Sequence, residues 1–131
     1  DPSLPRLRLD RNQIIQALLN LGRNAIQAVG ERGRIVLRTR ALTNASIGSR
    51  RYRVVASIQV EDDGPGVPVE LKDTVFYPLV TGRQGGTGLG LAVAQDLISR
   101  HDGLVEFDSR PGRTVFTLLL PFDNHELGQS A

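Results

Sequence analysis

A glycine-rich run occupies residues 85–91 (GGTGLGL) and leads directly into an apolar-periodic stretch over residues 92–101. Glycine has no Cβ, so the run leaves backbone N–H groups open to close approach, and a helix that starts here adds the positive end of its dipole. The run therefore predicts a loop-to-helix junction that binds an anion such as phosphate.

Two familiar phosphate motifs do not account for this junction. The sequence has no Gly-Lys-Ser/Thr, which excludes a P-loop. The dinucleotide-binding fingerprint also fails, because Leu91 and Val93 stand where that pattern needs a small residue. A different mode of nucleotide binding is expected.

Length and composition indicate one domain over residues 1–131, with a core at about 7–121 and a frayed tail at about 122–131. The chain has no cysteine, which excludes thiol catalysis and cysteine-based zinc sites, and a cytoplasmic location is expected. The net charge of +2 is too small to predict nucleic-acid binding, and no segment predicts a membrane span.

Hydrophobic periodicity predicts a mixed α/β chain. The first helix is expected over residues 11–29, with Asp10 and Gln13 as a capping box and with Gly30 and Gly33 at its end. Its apolar residues cover more than half of the circumference, which predicts deep packing. The other elements are a strand at 7–9, strands at 34–42 and 53–61 joined by a polar loop at 43–51, a short helix at 69–75, a helix from Gly88 or Leu89 to Gly103, and strands at 104–108 and 113–120 around Pro111-Gly112.

These elements predict an α/β two-layer sandwich. A mixed, mainly antiparallel sheet would carry helices on one face, with the other face partly in water. The segment at 76–88 is irregular and is expected to be mobile.

Two asparagines, Asn20 and Asn24, lie one turn apart on the first predicted helix. Carboxamides near an apolar face need hydrogen-bond partners, and an asparagine oxygen is also a suitable ligand for Mg²⁺. Bonds to neighbouring backbone, or simple exposure to water, would explain an isolated pair equally well.

The acidic turn at residues 62–66 (DDGPG) follows a predicted strand. Side chains alternate along a strand, so only one of Asp62 and Asp63 can enter a given pocket. A carboxylate accepts hydrogen bonds, which suits the exocyclic amine of adenine and not the carbonyl oxygen of guanine. Taken alone, the pattern is also a common turn.

The order of these motifs resembles the catalytic, ATP-binding domain of bacterial sensor histidine kinases, whose fold is shared with gyrase B, Hsp90 and MutL. The N box resembles residues 20–25, the two G boxes residues 62–66 and 86–91, the F box residues 76–79, and a terminal Gly-Thr element residues 112–114. Residues 77–83 and the Arg-Tyr-Arg strand around Tyr52 are similar to nitrogen-regulation kinases of the NtrB type.

The resemblance implies ATP and Mg²⁺ as cofactors and assigns roles by motif position. Asn24 would ligate Mg²⁺ with support from Asn20, Arg83 would approach the γ-phosphate, and Asp62 would accept from the adenine amine with Thr114 nearby through water. Residues 76–85 would form the ATP lid that closes on the nucleotide. The other implied nucleotide-binding residues are Gly64, Gly66, Phe76, Thr81, Gly86, Thr87, Gly88, Leu89 and Gly90.

The resemblance also implies partners. The phosphoryl acceptor would be a histidine on a separate dimerisation domain, because His101 and His125 lack the sequence context of an acceptor and His101 is expected at the surface. A response regulator of the NtrC type and a PII signalling protein would be further partners. Asn20 replaces the Glu of the hydrolysing relatives, so net hydrolysis should be poor. An ATP-driven conformational clamp and a nucleotide-free regulator-binding domain remain the alternatives.

Overall fold

The computed structural model describes Pro2, residues 10–74, Phe76 and residues 90–121. The described chain forms two α-helices, a short 3-10 helix and four strands. In chain order they are α1 (Arg11–Val29), β1 (Ile35–Ile47), β2 (Arg50–Asp62), the 3-10 helix (Val69–Thr74), α2 (Gly90–Ser99), β3 (Leu104–Arg110) and β4 (Arg113–Pro121). The sheet order is β1-β2-β4-β3, and every pairing among these strands is antiparallel.

The fold agrees with the predicted two-layer sandwich. The main core lies between the helices and one sheet face, and it contains Ile14, Ala17, Leu21, Ala25, Ala56, Val60, Ala94, Ile98, Val105, Phe116, Leu118 and Leu120. The predicted strand at 7–9, the lid apart from Phe76, and the tail lie outside the described residues. None of the described helices combines the length and hydropathy that a membrane span requires.

Helix α1 has the predicted bounds, and its caps explain them. Asp10 Oδ1 accepts from the backbone N–H of Gln13 at 3.2 Å, and Gly30 ends the helix with a φ of 64°. The second half of the predicted capping box is absent among the described contacts of Asp10, since its backbone N–H donates to His101 Nε2 at 3.1 Å instead. A tertiary contact therefore replaces a local one.

His101 joins the ends of the two helices and is half-buried, so the prediction of a simple surface residue is wrong. Its Nδ1 lies 2.9 Å from the Leu97 carbonyl oxygen, which can only accept. The ring is therefore the neutral tautomer with its proton on Nδ1, and Nε2 is the acceptor for Asp10.

Replacing His101 with Ala should lower the free energy of unfolding by about 1–2 kcal/mol, because the hydrogen bond from Asp10 that joins the start of α1 to the end of α2 is lost together with the local bond to Leu97. Urea denaturation measures the change. Arg100→Ala is the neighbouring control, since it removes only an exposed ion pair with Asp96 and should cost less than about 1 kcal/mol. Equal midpoints for the two variants would contradict the bridging role of His101.

The wide apolar arc predicted for α1 is only partly buried. Ile15, Leu19 and Ile26 are exposed, at 42, 48 and 60%. The helix lies against the sheet on one side and α2 on another, so a third sector of its circumference has no described element to cover it. The prediction of deep packing all along the arc is therefore wrong.

The predicted polar loop at 43–51 is also wrong, because β1 and β2 continue through it to a tight turn at Gly48-Ser49. Asn44 has a φ of 50°, and the pairing of β1 with β2 is interrupted at this residue, opposite Arg53. Beyond this point Tyr52 and Ile47 pack with Val55 in a second core, which strict two-residue alternation would not allow.

This second core lies on the sheet face opposite the helices. Its fully buried members are Ile47, Tyr52, Val55 and Leu119. The local twist at Asn44 directs the tip of the hairpin across that face. One part of this face is therefore apolar and covered, and the other part is exposed to water.

Glu61 links β1 and β4 on the same face. Its Oε1 accepts from Arg38 Nη1 at 3.2 Å and from Arg113 Nε at 2.9 Å. The hydrogen bond from Arg38 lowers the pKa of Glu61 below its ordinary value of 4.5, and Arg113 adds to the shift while partial burial opposes it.

The stabilisation from Glu61 should be complete above its unfolded-state pKa and should disappear as the pH falls through the lowered folded-state pKa. We therefore expect Glu61→Gln to lose less stability than the natural chain between about pH 5 and pH 3. Urea midpoints across this range measure the effect. Glu106→Gln, an exposed change in the same sheet, should keep the acid dependence of the natural chain, and an identical curve for Glu61→Gln would refute the role of the ion pairs.

Candidate nucleotide-binding site

Three polar side chains form one row across the sheet, on the face that carries the helices. Asp62 pairs with Thr114 across β2 and β4, and Thr114 pairs with Ser109 across β4 and β3. All three are buried, with exposed fractions of 2, 1 and 4%. A row of buried polar groups costs free energy unless each finds a partner, so this row is a candidate binding site.

The two neighbouring aspartates have opposite environments, as the strand alternation predicts. Asp62 is buried, and its Oδ1 accepts from the backbone N–H of Gly64 at 3.0 Å. Asp63 is exposed, and its Oδ1 accepts from the backbone N–H of Arg34 at 2.8 Å. Asp62 is therefore the carboxylate that faces the core side of the sheet.

The turn after Asp62 is fastened to the β3–β4 hairpin. Gly112 N–H donates to the Gly64 carbonyl oxygen at 2.9 Å, and Val67 N–H donates to Ser109 Oγ at 2.7 Å. Gly66 has a φ of 91°, and a Cβ there would lie 2.9 Å from the Arg110 carbonyl oxygen. Only glycine fits that position, and the backbone of the turn is held close to the polar row.

An aromatic cluster borders the polar row on the same face. Phe116 pairs with Phe107 across β4 and β3, two residues along from Thr114 and Ser109. Their rings stack at 5.5 Å, and Phe76 meets them edge-on at 5.7 and 6.1 Å. Phe76 is the described residue of the predicted F box, and it belongs to this apolar cluster rather than to an isolated loop.

The asparagines of α1 lie close to the start of α2. Asn20 is buried, and its Oδ1 accepts from Gln16 Nε2 at 3.2 Å, while Asn24 is half-buried one turn further on. A Cβ at Gly90 would stand 3.9 Å from Asn20 Cβ. Gly90, the first residue of α2, therefore lies beside Asn20 of α1.

The donor set around Asn24 fits a magnesium ion that is held mainly by phosphate oxygens. Among the described residues, no three His, Asp or Glu side chains are grouped to hold an ion. Asn24 offers one neutral oxygen, and Mg²⁺ commonly takes one or two protein oxygens together with phosphates and water.

The described site residues form two groups: Asp62, Gly64, Gly66, Phe76 and Thr114 on the sheet side, and Asn20, Asn24 and Gly90 on the helix side. The two groups adjoin where Gly64 packs against Ala28 of α1. The predicted residues Thr81, Arg83, Gly86, Thr87, Gly88 and Leu89 lie outside the described residues. Sequence reasoning missed Ser109, the third member of the polar row.

Residues 9–124 match the family described as histidine kinase-, DNA gyrase B- and HSP90-like ATPase. Two curated relatives carry the name sensory histidine kinase/phosphatase NtrB. The Escherichia coli O157:H7 protein is 56% identical over 92% of this chain, and the Rhodobacter capsulatus protein is 42% identical over 97%. The chain spans 35% and 37% of their lengths.

Solved structures agree in fold. The nucleotide-free catalytic domain of histidine kinase ThkA is 32% identical, with a TM-score of 0.73 over 88% of this chain and 70% of that one. Full-length ShkA in complex with AMPPNP is 27% identical, with a TM-score of 0.74 over 94% of this chain and 24% of that one.

Proposed function

Because the chain belongs to the histidine kinase-, DNA gyrase B- and HSP90-like ATPase family, we propose that it binds ATP and transfers the γ-phosphoryl group to a histidine on another domain. The observation that carries the proposal is the close packing of the turn after Asp62 against α1, where a Cβ at Gly64 would lie 2.7 Å from the carbonyl oxygen of Ala28, one helical turn beyond Asn24. The row of Asp62 and Thr114 suits a base, and the pair Asn20 and Asn24 beside Gly90 suits phosphates.

The base would lie against the sheet. Asp62 is buried and its carboxylate accepts hydrogen bonds, so it would accept one from the adenine amine. Thr114 beside it would contact the edge of the ring directly or through water. The neighbouring rings of Phe76, Phe107 and Phe116 provide apolar surface near the base. Gly64 and Gly66 keep the backbone thin enough for the base to approach.

The phosphates would lie between α1 and the start of α2. We propose that Asn24 and Asn20 hold the magnesium–phosphate group, and that Gly86, Thr87, Gly88, Leu89 and Gly90 supply backbone N–H donors with Thr81 and Arg83 closing the site. Bound Mg²⁺ would supply positive charge to the β- and γ-phosphates. The chain itself would contribute positioning and electrostatic stabilisation.

The nucleophile would be an imidazole outside this chain. Both ring nitrogens of His101 are hydrogen-bonded within the domain, to Leu97 and Asp10, so this ring does not suit the role of acceptor. Relatives named as histidine kinases extend well beyond the matched region, which spans 35% of their length. We place the phosphoacceptor histidine in a dimerisation domain of that longer protein, and a response regulator downstream of it.

The named relatives point to nitrogen regulation. We propose an NtrB-type kinase whose phosphoryl group passes to a response regulator of the NtrC type, with a PII protein as a regulatory partner. ATP is available in the cytoplasm, and we place the domain there.

Calorimetric titration with ATP, with and without Mg²⁺, tests the proposal. We expect Asn24→Ala to lose the Mg²⁺-dependent part of the affinity, about tenfold, while the Mg²⁺-free affinity stays within about twofold. Asn12→Ala, an exposed asparagine on the same helix, is the matched control and should bind as the natural chain does. Equal Mg²⁺ dependence in all three proteins would overturn the assignment of Asn24.

Labelled ATP tests the transfer step. The chain alone should acquire no label, and addition of a phosphoacceptor domain from an NtrB relative should place label on that domain. Label on this chain would refute the external acceptor. Rapid release of inorganic phosphate by the chain alone would favour a conformational clamp.

A further inference from the structure

Ser109 is buried in the polar row and has no role in the base contacts proposed so far. Among the described residues its Oγ has two hydrogen-bond partners, the backbone N–H of Val67 at 2.7 Å and Thr114 Oγ1 at 2.7 Å. The hydroxyl groups of Ser109 and Thr114 are both screened from water, so the direction of the bond between them is determined by their other partners.

Counting donors and acceptors shows what each direction would leave over. The backbone N–H of Val67 can only donate, so Ser109 Oγ accepts from it. If Ser109 donates to Thr114 Oγ1, the Thr114 proton remains for a bound ligand, whereas the opposite direction leaves the Ser109 proton without an acceptor in the described part of the chain. The geometry allows both directions, and a ligand beside Thr114 would favour the first.

We infer that Ser109 is a positioning residue that makes Thr114 a hydrogen-bond donor toward the nucleotide base. The inference rests on the proposed ATP site. With Ser109 as the donor to Thr114, the row presents Asp62 as an acceptor and Thr114, beside it, as a donor. Both groups would contact the base directly or through one bound water.

This pattern of acceptor and donor is complementary to adenine. Adenine presents an amine donor at N6 and, beside it, an acceptor at N1. Guanine and hypoxanthine present an oxygen acceptor at position 6 and an N–H donor at N1, so both contacts would be reversed. A fixed donor at Thr114 would therefore add to the selectivity that Asp62 provides for adenine.

The backbone around Ser109 is held by separate contacts. Lys72 Nζ donates to the Ser109 carbonyl oxygen, and Gly112 N–H holds Gly64. These contacts do not use the serine hydroxyl, so the hairpin should keep its register when the hydroxyl is removed. The Val67 N–H also loses its acceptor, and a general effect of that loss on the turn would weaken every nucleotide alike.

Ser109→Ala tests the inference when ATP is compared with 1-deaza-ATP, which lacks the N1 acceptor. We expect the variant to bind ATP about 5- to 10-fold more weakly and 1-deaza-ATP within about twofold of the natural chain. Ser57→Ala is the matched control, since Ser57 is a buried serine in the same sheet whose side chain points to the opposite face. That variant should bind both nucleotides normally.

Two more variants complete the design. Thr114→Val should show the same loss for ATP, and Ser109→Ala combined with Thr114→Val should lose no more than Thr114→Val alone, because the serine acts through the threonine. If Ser109→Ala does not fold, Ser109→Cys keeps a small side chain with a weaker donor and should lose ATP affinity in the same base-dependent way.

The outcomes separate this inference from the proposed function. An equal loss for ATP and 1-deaza-ATP, or no loss for either, would overturn the role of Ser109 while ATP binding by the natural chain would still support the proposed function. A natural chain with no affinity for ATP would overturn both.

Discussion

Asp62→Asn should weaken the binding of ATP and ADP by about 100-fold or more, the largest effect on affinity that we expect from one substitution. The oxygen of the new amide would keep the hydrogen bond from Gly64 N–H, so its NH₂ group would occupy the place of the second carboxylate oxygen. An NH₂ donor would then face the amine donor of adenine. Asp62 is 2% exposed, so water cannot readily provide the hydrogen-bond partner that the mismatched amide lacks.

Asp63→Asn is the matched control for this experiment, since it is the same substitution one residue away. Asp63 is exposed, and within the described chain its side chain accepts from Arg34 N–H, which an asparagine oxygen can also do. Its ATP affinity should stay within about twofold of the natural chain by calorimetry. Similar losses in the two variants would mean that the wrong aspartate has been assigned to the base.

Much of the fold could be predicted because local signals determine it. Asp10 and Gly30 define the ends of α1, and the Pro111-Gly112 turn defines the hairpin of β3 and β4. The outer part of the β1–β2 hairpin could not be predicted from the sequence, because its polar residues look like a loop and its two-residue turn has no strong signal. Pairing with a partner strand, and the twist at Asn44, decide that segment.

Contacts between distant residues account for the other errors. The bond from Asp10 N–H to His101 joins residues 91 positions apart, and no local pattern indicates it. The exposure of Ile15, Leu19 and Ile26 depends on which neighbours α1 has in three dimensions, whereas periodicity gives only the arc that could be buried.

The candidate site was predictable to a similar degree. Asp62, Asn20 and Asn24 were predicted from their motifs, and the structure places them on adjoining elements, while their roles stay predictions. Ser109 had a usable signal that was missed. A two-residue turn at Pro111-Gly112 puts Arg110 opposite Arg113 and therefore Ser109 opposite Thr114, which reveals a second hydroxyl beside the predicted one.

Gly64→Ala should destabilise the fold and impair nucleotide binding together. A Cβ at Gly64 would lie 2.7 Å from the Ala28 carbonyl oxygen and 3.0 Å from Asp62 Oδ1. The Ala28 carbonyl belongs to the backbone of α1 and cannot rotate away as a side chain can, so either the helix or the turn must shift. We expect a loss of about 1–3 kcal/mol in the free energy of unfolding, and a loss of ATP affinity of about tenfold or more, because Asp62 moves relative to Asn24.

Gly22→Ala is the control that makes this result specific. It is the same substitution on α1, but a Cβ at Gly22 meets no atom within 4 Å. Alanine favours a helix over glycine by up to about 1 kcal/mol, so this variant should be more stable than the natural chain and should bind ATP normally. Urea denaturation and calorimetry on both variants measure the contrast. If Gly64→Ala kept natural stability and affinity, the close packing of the turn against α1 could not be what positions Asp62.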